Sequence, residues 1–436
     1  MMIRLIWISI LTLSLISQIT AQGIVTISES ELLDKGLSSN IDLRRLEYHV
    51  KSAQGELKTT STMSLPDIGI SYTAMSTNQP LSAFGTKLNQ SRIGAADFDP
   101  DFLNSPDHIE DFFGKLEIQH SFYNPDLKYY KKAAAAKVDI AGLQLDRKKD
   151  QVVLEIKKSY LDLQLAYKSL DVLNAALQFA KENVRMAKDN ADQGYLQRSD
   201  LLAAELRQRT IENQIIMAES SIADISDYLS VLVNDDPQTV YQPGDSLAMP
   251  TDLFSDFDLN ENRSDFKALE KVSEAYASQM EAYKKSSLPR IIGFANYELH
   301  DDTPFAANGN GYMLGVGVHW NFLGKKKQQG KISQSKAEYE KAQLQLEQYL
   351  LNNKLDLARM KRVLEDSRKN LELSELSVEQ SEEVLRIRTN RFNEGLEKIT
   401  DLLAAEADLA EKRMLYYKAI YQYNQARVYL EYLTKE

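Results

Sequence analysis

The chain has 436 residues and carries 63 acidic against 52 basic side chains, a net charge of -11. That balance argues against nucleic acid or anionic lipid as a partner, because both recruit basic patches. The chain contains no cysteine, which excludes disulfides, thiolate metal sites, a cysteine nucleophile and the acylated cysteine of a lipoprotein.

In chain order, Arg4 precedes an apolar run from Leu5 to Ile16, and Ala21 supplies the small residue of a cleavage site. Residues 1–21 therefore read as a signal peptide, and 22–39 as an N-terminal extended segment. No later stretch approaches the roughly 20 apolar residues of a membrane-spanning helix, so any crossing must be made of strands.

A first structural repeat is expected over 40–232. It begins with a helix near Asp42 to Thr60, followed by strands near 67–75 and 115–123. In the first strand Ile68, Ile70 and Tyr72 alternate with Gly69, Ser71 and Thr73. In the second, Leu116, Ile118 and Phe122 alternate with Glu117, Gln119 and Ser121. A helical hairpin follows over 126–232. Ile156, Tyr160, Leu163, Tyr167 and Leu170 step by fours and threes before Gly194, as do Ile211, Ile215, Ala218, Ile222, Ile225, Leu229 and Leu232 after it. Gly194 is the only glycine from Leu143 to Asp236, and no proline occurs from Asp126 to Asp236. The outgoing helix would reach roughly 100 Å and the return helix about 50 Å. Ser199-Asp200 and Thr400-Asp401 are expected to cap the return helices.

Residues 233–262 read as a mid-height connector, and 263–436 as a second repeat. The latter has a helix near Asp265 to Ser286, strands near 290–299 and 311–322, and a hairpin over 325–434 turning at Gly395. Tyr312, Leu314, Val316, Val318, Trp320 and Phe322 form one apolar face, whereas the run from Arg290 alternates poorly and leaves its facing open. "SDLLAAE" at Ser199 and "TDLLAAE" at Thr400 share an offset of 201, which also carries Gly194 onto Gly395. Earlier landmarks, Asp42 and Asp265 among them, lie 223 apart, so the first half holds 22 extra residues. The chain is a duplication. Phe122, Tyr123, Trp320 and Phe322 would form an aromatic girdle at strand ends. Four strands cannot close a barrel, so several copies must share one. A soluble antiparallel sheet with one wet face is the competing reading of the alternation.

Together these features resemble the TolC-type outer-membrane factors of bacterial efflux and type I secretion. The resemblance spans nearly the whole mature chain and is sharpest at "QGYLQRSDLLAAE" and "EGLEKITDLLAAE". It implies a mainly α fold with a membrane β-barrel: a homotrimer whose 12-stranded outer-membrane barrel continues into a periplasmic α-helical barrel. It also implies a periplasmic adaptor protein at the tips and an inner-membrane pump of RND or ABC type beyond it, in a Gram-negative bacterium. Carried onto this sequence, Gly194, Tyr195, Leu196, Gly395, Leu396 and Leu403 become adaptor-docking residues, and Asp200 and Asp401 become gate acids. Links between neighbouring tips would be the latch. A second acid three residues beyond Asp401 is absent, the position being Ala404. On the plain reading, Asp200 and Asp401 are ordinary first-turn carboxylates.

No catalytic, cofactor or metal site emerges. None of His49, His108, His120, His300 and His319 lies in a zinc motif, and no nucleophile elbow or P-loop is present. The acidic run from Asp97 has Phe102 and His108 where a calcium loop needs glycine and glutamate, so it reads as a solvated extracellular loop, as does His300-Asp301-Asp302. The competing classes are a periplasmic adaptor, a soluble coiled-coil structural protein without a barrel, and a secreted enzyme.

Overall fold

The computed structural model describes residues 24–249, 257–321 and 325–435. The expected signal peptide, 1–21, and Phe322 of the expected girdle lie outside the described residues. A short strand β1 (Ile24–Ile27) leads into helices α1 (Glu29–Ser39) and α2 (Ile41–Thr62). Strand β2 (Asp67–Thr77) follows, then α3 (Pro80–Asn89), the short α4 (Pro100–Asn104) and β3 (Ile109–Tyr123). Helices α5 (Leu127–Asp192) and α6 (Arg198–Val233) form one hairpin. After β4 (Val240–Pro243) come α7 (Ser264–Lys285), β5 (Arg290–Asp301) and β6 (Gly309–His319), and a second hairpin of α8 (Lys325–Asn393) and α9 (Ile399–Thr434) ends the description. The long helices form where proline is absent and apolar residues recur at helical spacing.

The segment 22–39 is not extended throughout, because its second part is α1. Ser28 and Glu31 form a reciprocal capping box: the Ser28 N–H donates to Glu31 Oε2 at 2.9 Å and the Glu31 N–H to Ser28 Oγ at 3.3 Å. Once capped, the segment buries Leu32 completely, and Gly36 sits so close to Ile156 that a Cβ there would overlap that side chain.

The chain folds as two compact units. One comprises residues up to Tyr48, Gln144–Phe266 and Gln348 onward; the other comprises His49–Leu143 and Lys267–Glu347. In the first, Ile27, Leu32, Leu43, Ile156, Tyr160, Leu163, Leu229, Leu232 and Tyr241 share one core. The connector is partly ordered by this core. Its β4 pairs in parallel with β1, from Ile24 opposite Val240 to Ile27 opposite Pro243, and the Gly244 N–H donates to the Ile27 carbonyl at 2.9 Å. A fully buried Arg263 donates to the Leu433 carbonyl at 2.6 Å and to Asn353 Oδ1 at 2.9 Å, and pairs with Asp265 at 2.5 Å. These partners offset the desolvation of its charge.

The other unit holds an antiparallel sheet in the order β2-β3-β5-β6. The register settles the facing of β5, which alternation alone left open. Ile70, Leu116, Tyr297 and Tyr312 lie in one row, and Ile68, Ile118, Ala295 and Leu314 in another on the same face. The intervening rows, Ser71-Lys115-Glu298-Gly311 and Gly69-Glu117-Asn296-Met313, make the other face largely polar. Phe294 spoils the simple alternation of β5. It lies on the polar side, where its ring covers Gly315: a Cβ at that glycine would come within 2.7 Å of the ring.

The two segments expected as solvated loops are more structured than that. The acidic run includes α4, capped by Asp99, whose side chain accepts the Asp101 N–H at 2.9 Å, and Asp97 pairs with Lys87 of α3 at 2.7 Å. His300 is buried, its Nδ1 lying 2.9 Å from Asp111 Oδ2, while Gln90 donates to Asp111 Oδ1 at 3.0 Å. Asp301 accepts the N–H groups of Thr303 and Asn308 at 3.0 and 2.9 Å, and Asp302 pairs with Arg92 at 2.6 Å. Buried polar groups persist where such partners compensate them.

Candidate functional site

Both hairpins turn through the same backbone geometry. The Tyr195 N–H donates to the Asn190 carbonyl at 2.8 Å and the Gly194 N–H to Ala191 at 3.0 Å. Leu396 and Gly395 repeat the pattern onto Arg391 and Phe392, each at 2.9 Å. This is the paired bonding of a Schellman motif, whose C′ residue is left-handed. Gly194 has φ 79° and Gly395 φ 74°, and neither has an atom within 4 Å of where a Cβ would stand. Backbone conformation rather than lack of space therefore selects glycine at both turns.

The return helices begin one or two residues earlier than their expected caps. Gln197 and Lys398 occupy the N-cap positions, and neither side chain caps the helix. Ser199 and Thr400 are therefore inside the first turn, together with the half-buried Asp200 and Asp401. There the carboxylates lie near the positive end of the helix dipole. Neither aspartate joins an ion pair among the described residues.

The six docking residues divide by exposure. Tyr195 and Leu396 are 78% and 65% exposed, and both glycines are exposed beside them. Leu403 is not on the surface. At 9% exposure it joins Ala187, Ala204 and Ile399 in a small core between the hairpins, against which Leu196 also packs. Sequence reasoning missed two leucines that are exposed on the first tip, Leu202 at 52% and Leu206 at 68%. It also missed Glu406, which is 3% exposed and accepts a hydrogen bond from Asn183 Nδ2 at 2.8 Å. Burial pushes its carboxyl up to about 7, against the smaller opposing effects of Arg207 and the Asn183 hydrogen bond. The signal was the shared motif itself, which places Glu205 and Glu406 alike but cannot say which is covered.

At the other candidate site, aromatic residues mark both ends of the apolar sheet face. Phe122, Tyr123 and Trp320 are exposed at one end, with the Trp320 indole N–H donating to the Ser287 carbonyl at 2.9 Å. At the other end the Tyr72 and Phe305 rings stack at 5.1 Å, and the Phe305 N–H donates to the Tyr72 hydroxyl at 2.8 Å. Tyr297 lies opposite Tyr312 nearby. Tyr72 pairs with Gly114, nine residues from Tyr123 along β3. At about 3.3 Å per residue that separation is about 30 Å along the strand. Among the described residues no helix is long and apolar enough to cross a membrane.

Residues 258–434 match the outer membrane efflux protein family. The resemblance drawn from the two tips is thereby borne out. No curated protein sequence matches the chain. Solved structures match almost its whole length. A membrane protein from Pseudomonas aeruginosa, 15% identical, gives a TM-score of 0.82 over 95% of this chain and 94% of that one. The outer membrane protein VceC from Vibrio cholerae, 18% identical, gives 0.78 over 93% and 95%. The Campylobacter jejuni CmeC outer membrane channel, 15% identical, gives 0.78 over 93% and 85%. At such identities the likeness shows the fold alone.

Proposed function

We propose that this protein is the outer-membrane duct of a tripartite efflux or type I secretion system. Three copies would close a 12-stranded barrel and continue as an α-helical barrel through the periplasm. The tips would dock on a periplasmic adaptor joined to an inner-membrane pump of RND or ABC type. The two halves of each chain would present the adaptor with six similar sites per trimer. Such a duct needs no bond chemistry; it needs a continuous wet path, a gate and a docking surface. Adaptor binding would stabilise splayed hairpins and shift the population from closed to open.

The observation that carries the reading is the sheet, which has one aromatic-bounded apolar face and two edges, β2 and β6, that no described strand pairs. Unpaired edges are prohibitive in lipid, and identical neighbours are the simplest way to cover them. The helices support the same conclusion. Val172 and Ala175 of α5 line a small gap with Glu406, Leu409 and Ala410 of α9. The 201-residue offset carries the α5 positions onto Leu373 and Leu376 of α8, and these are exposed. It carries the α9 positions onto Glu205, Gln208 and Arg209 of α6. The exposed face of α8 therefore fits α6 of another copy.

Cysteine pairing tests this directly, because the chain has no cysteine of its own. Asn183 and Glu406 are hydrogen-bonded within the chain, and the offset carries them onto Val384 and Glu205. With Val384→Cys and Glu205→Cys combined, oxidation of outer-membrane fractions should give a covalent ladder ending at three copies. Material found only in the soluble fraction, or a ladder that never forms, would count against the duct and favour a periplasmic coiled-coil protein.

A further inference from the structure

Glu406 is a buried carboxylate of α9 with one satisfied oxygen. Oε2 accepts the Asn183 hydrogen bond from α5, whereas Oε1 has no hydrogen-bond partner among the described residues. Arg207 of α6 is an opposing charge that acts on Glu406, yet it forms no ion pair with it among the described residues, and its Nε also has no hydrogen-bond partner there. Arg413, about two turns along α9 from Glu406, lines the same gap but is held at 2.7 Å by Glu382 of α8. Helix α5 offers only the neutral Asn183 and apolar Val172, Ala175, Ala176 and Phe179 at this place, and α8 adds Leu385. The acid thus lies in the seam between the two hairpins of one chain, beside the core of Ala187, Ala204, Ile399 and Leu403. A seam of small apolar residues is a poor place for an ionised carboxylate and a good one for a neutral carboxyl, which needs fewer partners.

We propose that Glu406 is a proton-operated latch: protonated, it holds the second hairpin against the first, and ionised, it loosens that seam so that the hairpins part more readily. The latch rests on the duct reading for its role in gating, though not for its chemistry. The direction follows from the two states of the group. In the packed seam the carboxyl titrates near 7, and in a parted, wet seam it returns toward its ordinary 4.5. Below about 4.5 both states are protonated and titration favours neither. As pH rises from there to about 7 the parted state ionises first, so the packed seam loses stability progressively. Above 7 both are ionised and the loss is complete. The two proton affinities differ by roughly 300-fold, which bounds the shift in the equilibrium between packed and parted seams. The counterpart acid of the first hairpin, Glu205, is exposed within one chain and has Val384 in place of Asn183.

Thiol labelling of the full-length protein in detergent tests the latch. Ala204→Cys places a reporter in the seam core, and Gln193→Cys, at the exposed first tip, provides a reference for the pH dependence of thiol chemistry. The ratio of maleimide labelling at the two sites should climb between pH 4.5 and 7, by at most about 300-fold, and then level off. In Glu406→Gln the ratio should stay at its acid value throughout. Arg207→Gln, which keeps Glu406 but removes the cation, should move the climb to higher pH. A native ratio that does not change, or a Glu406→Gln ratio that tracks the native one, would overturn the latch. Conductance across a planar lipid bilayer examines the duct separately. A protein that conducts but labels identically in native and Glu406→Gln forms loses only the latch, and one that labels as expected without conducting loses only the duct.

Discussion

The two hairpin tips share a motif, a turn and a helix length, yet they stand in different surroundings. Both return helices run 36 residues from a left-handed glycine turn. At the first tip Leu202 is exposed, while its counterpart Leu403 is buried. Glu205 is exposed, while Glu406 is buried. The turn is closed differently as well. Leu196 packs into the apolar cluster at the first tip, whereas Glu397, its counterpart, is held by Arg388 and Arg391 at 2.6 and 2.7 Å. A motif that occurs twice thus specifies local geometry twice, but each occurrence acquires its surroundings from what packs beside it. Within a single chain the second tip rests on the first, and the opposite face of the first tip is bare.

The largest test of this difference is truncation of the paired leucines. Leu403→Ala should destabilise the second tip by about 2–4 kcal/mol, because a buried methyl-rich side chain is lost and the long helices cannot collapse around the gap. In dissociated monomers, where no second copy covers α6, Leu202→Ala should alter the packing of its own tip by about 0.5 kcal/mol or less. Amide hydrogen exchange over 399–409 and 198–208 reads both effects. If the two changes cost the same on that readout, the buried and exposed assignments are wrong.

The glycines should behave alike where the leucines do not. Gly194→Ala and Gly395→Ala each force a Cβ into the left-handed region at a cost of about 1–2 kcal/mol, with no clash to add. Asparagine, which tolerates that region, should cost less at either site. Protease nicking at the turns measures the fraying. A penalty for alanine at one turn alone would show that something besides φ selects glycine there.

Much of this architecture was legible in the sequence because it depends on local rules. Long proline-free runs with isolated glycines give helical hairpins, and alternation gives β2, β3 and β6. What was hidden depended on pairing over distance. The facing of β5 emerged only from its register with β3, since Phe294 and Gly293 break the pattern along the strand. The helix α1 was missed because Ser28 and Glu31 announce it in only four residues, and the caps were misplaced because Gln197 and Lys398 are not cap-forming types. Leu403 and Glu406 were illegible for a deeper reason. Periodicity shows which side of a helix is apolar, but not whether the neighbour on that side belongs to the same chain.

The smallest effect separates the two turn closures by their response to salt. Glu397 is mostly covered, but its arginine partners are largely exposed, so the cluster should contribute about 1 kcal/mol or less. Screening shortens from about 10 Å at 0.1 M salt to about 3 Å at 1 M. Exchange protection at Leu396 and Glu397 should therefore fall modestly over that range, while protection at Tyr195 and Leu196 should hold or rise, since salt does not weaken apolar packing. Glu397→Gln should bring the second turn to its high-salt behaviour at low salt and leave the first unchanged. Equal salt responses at the two turns would mean that the arginines close the second turn through their aliphatic stems rather than their charge, and Arg388→Met would then preserve the protection that Glu397→Gln was expected to remove.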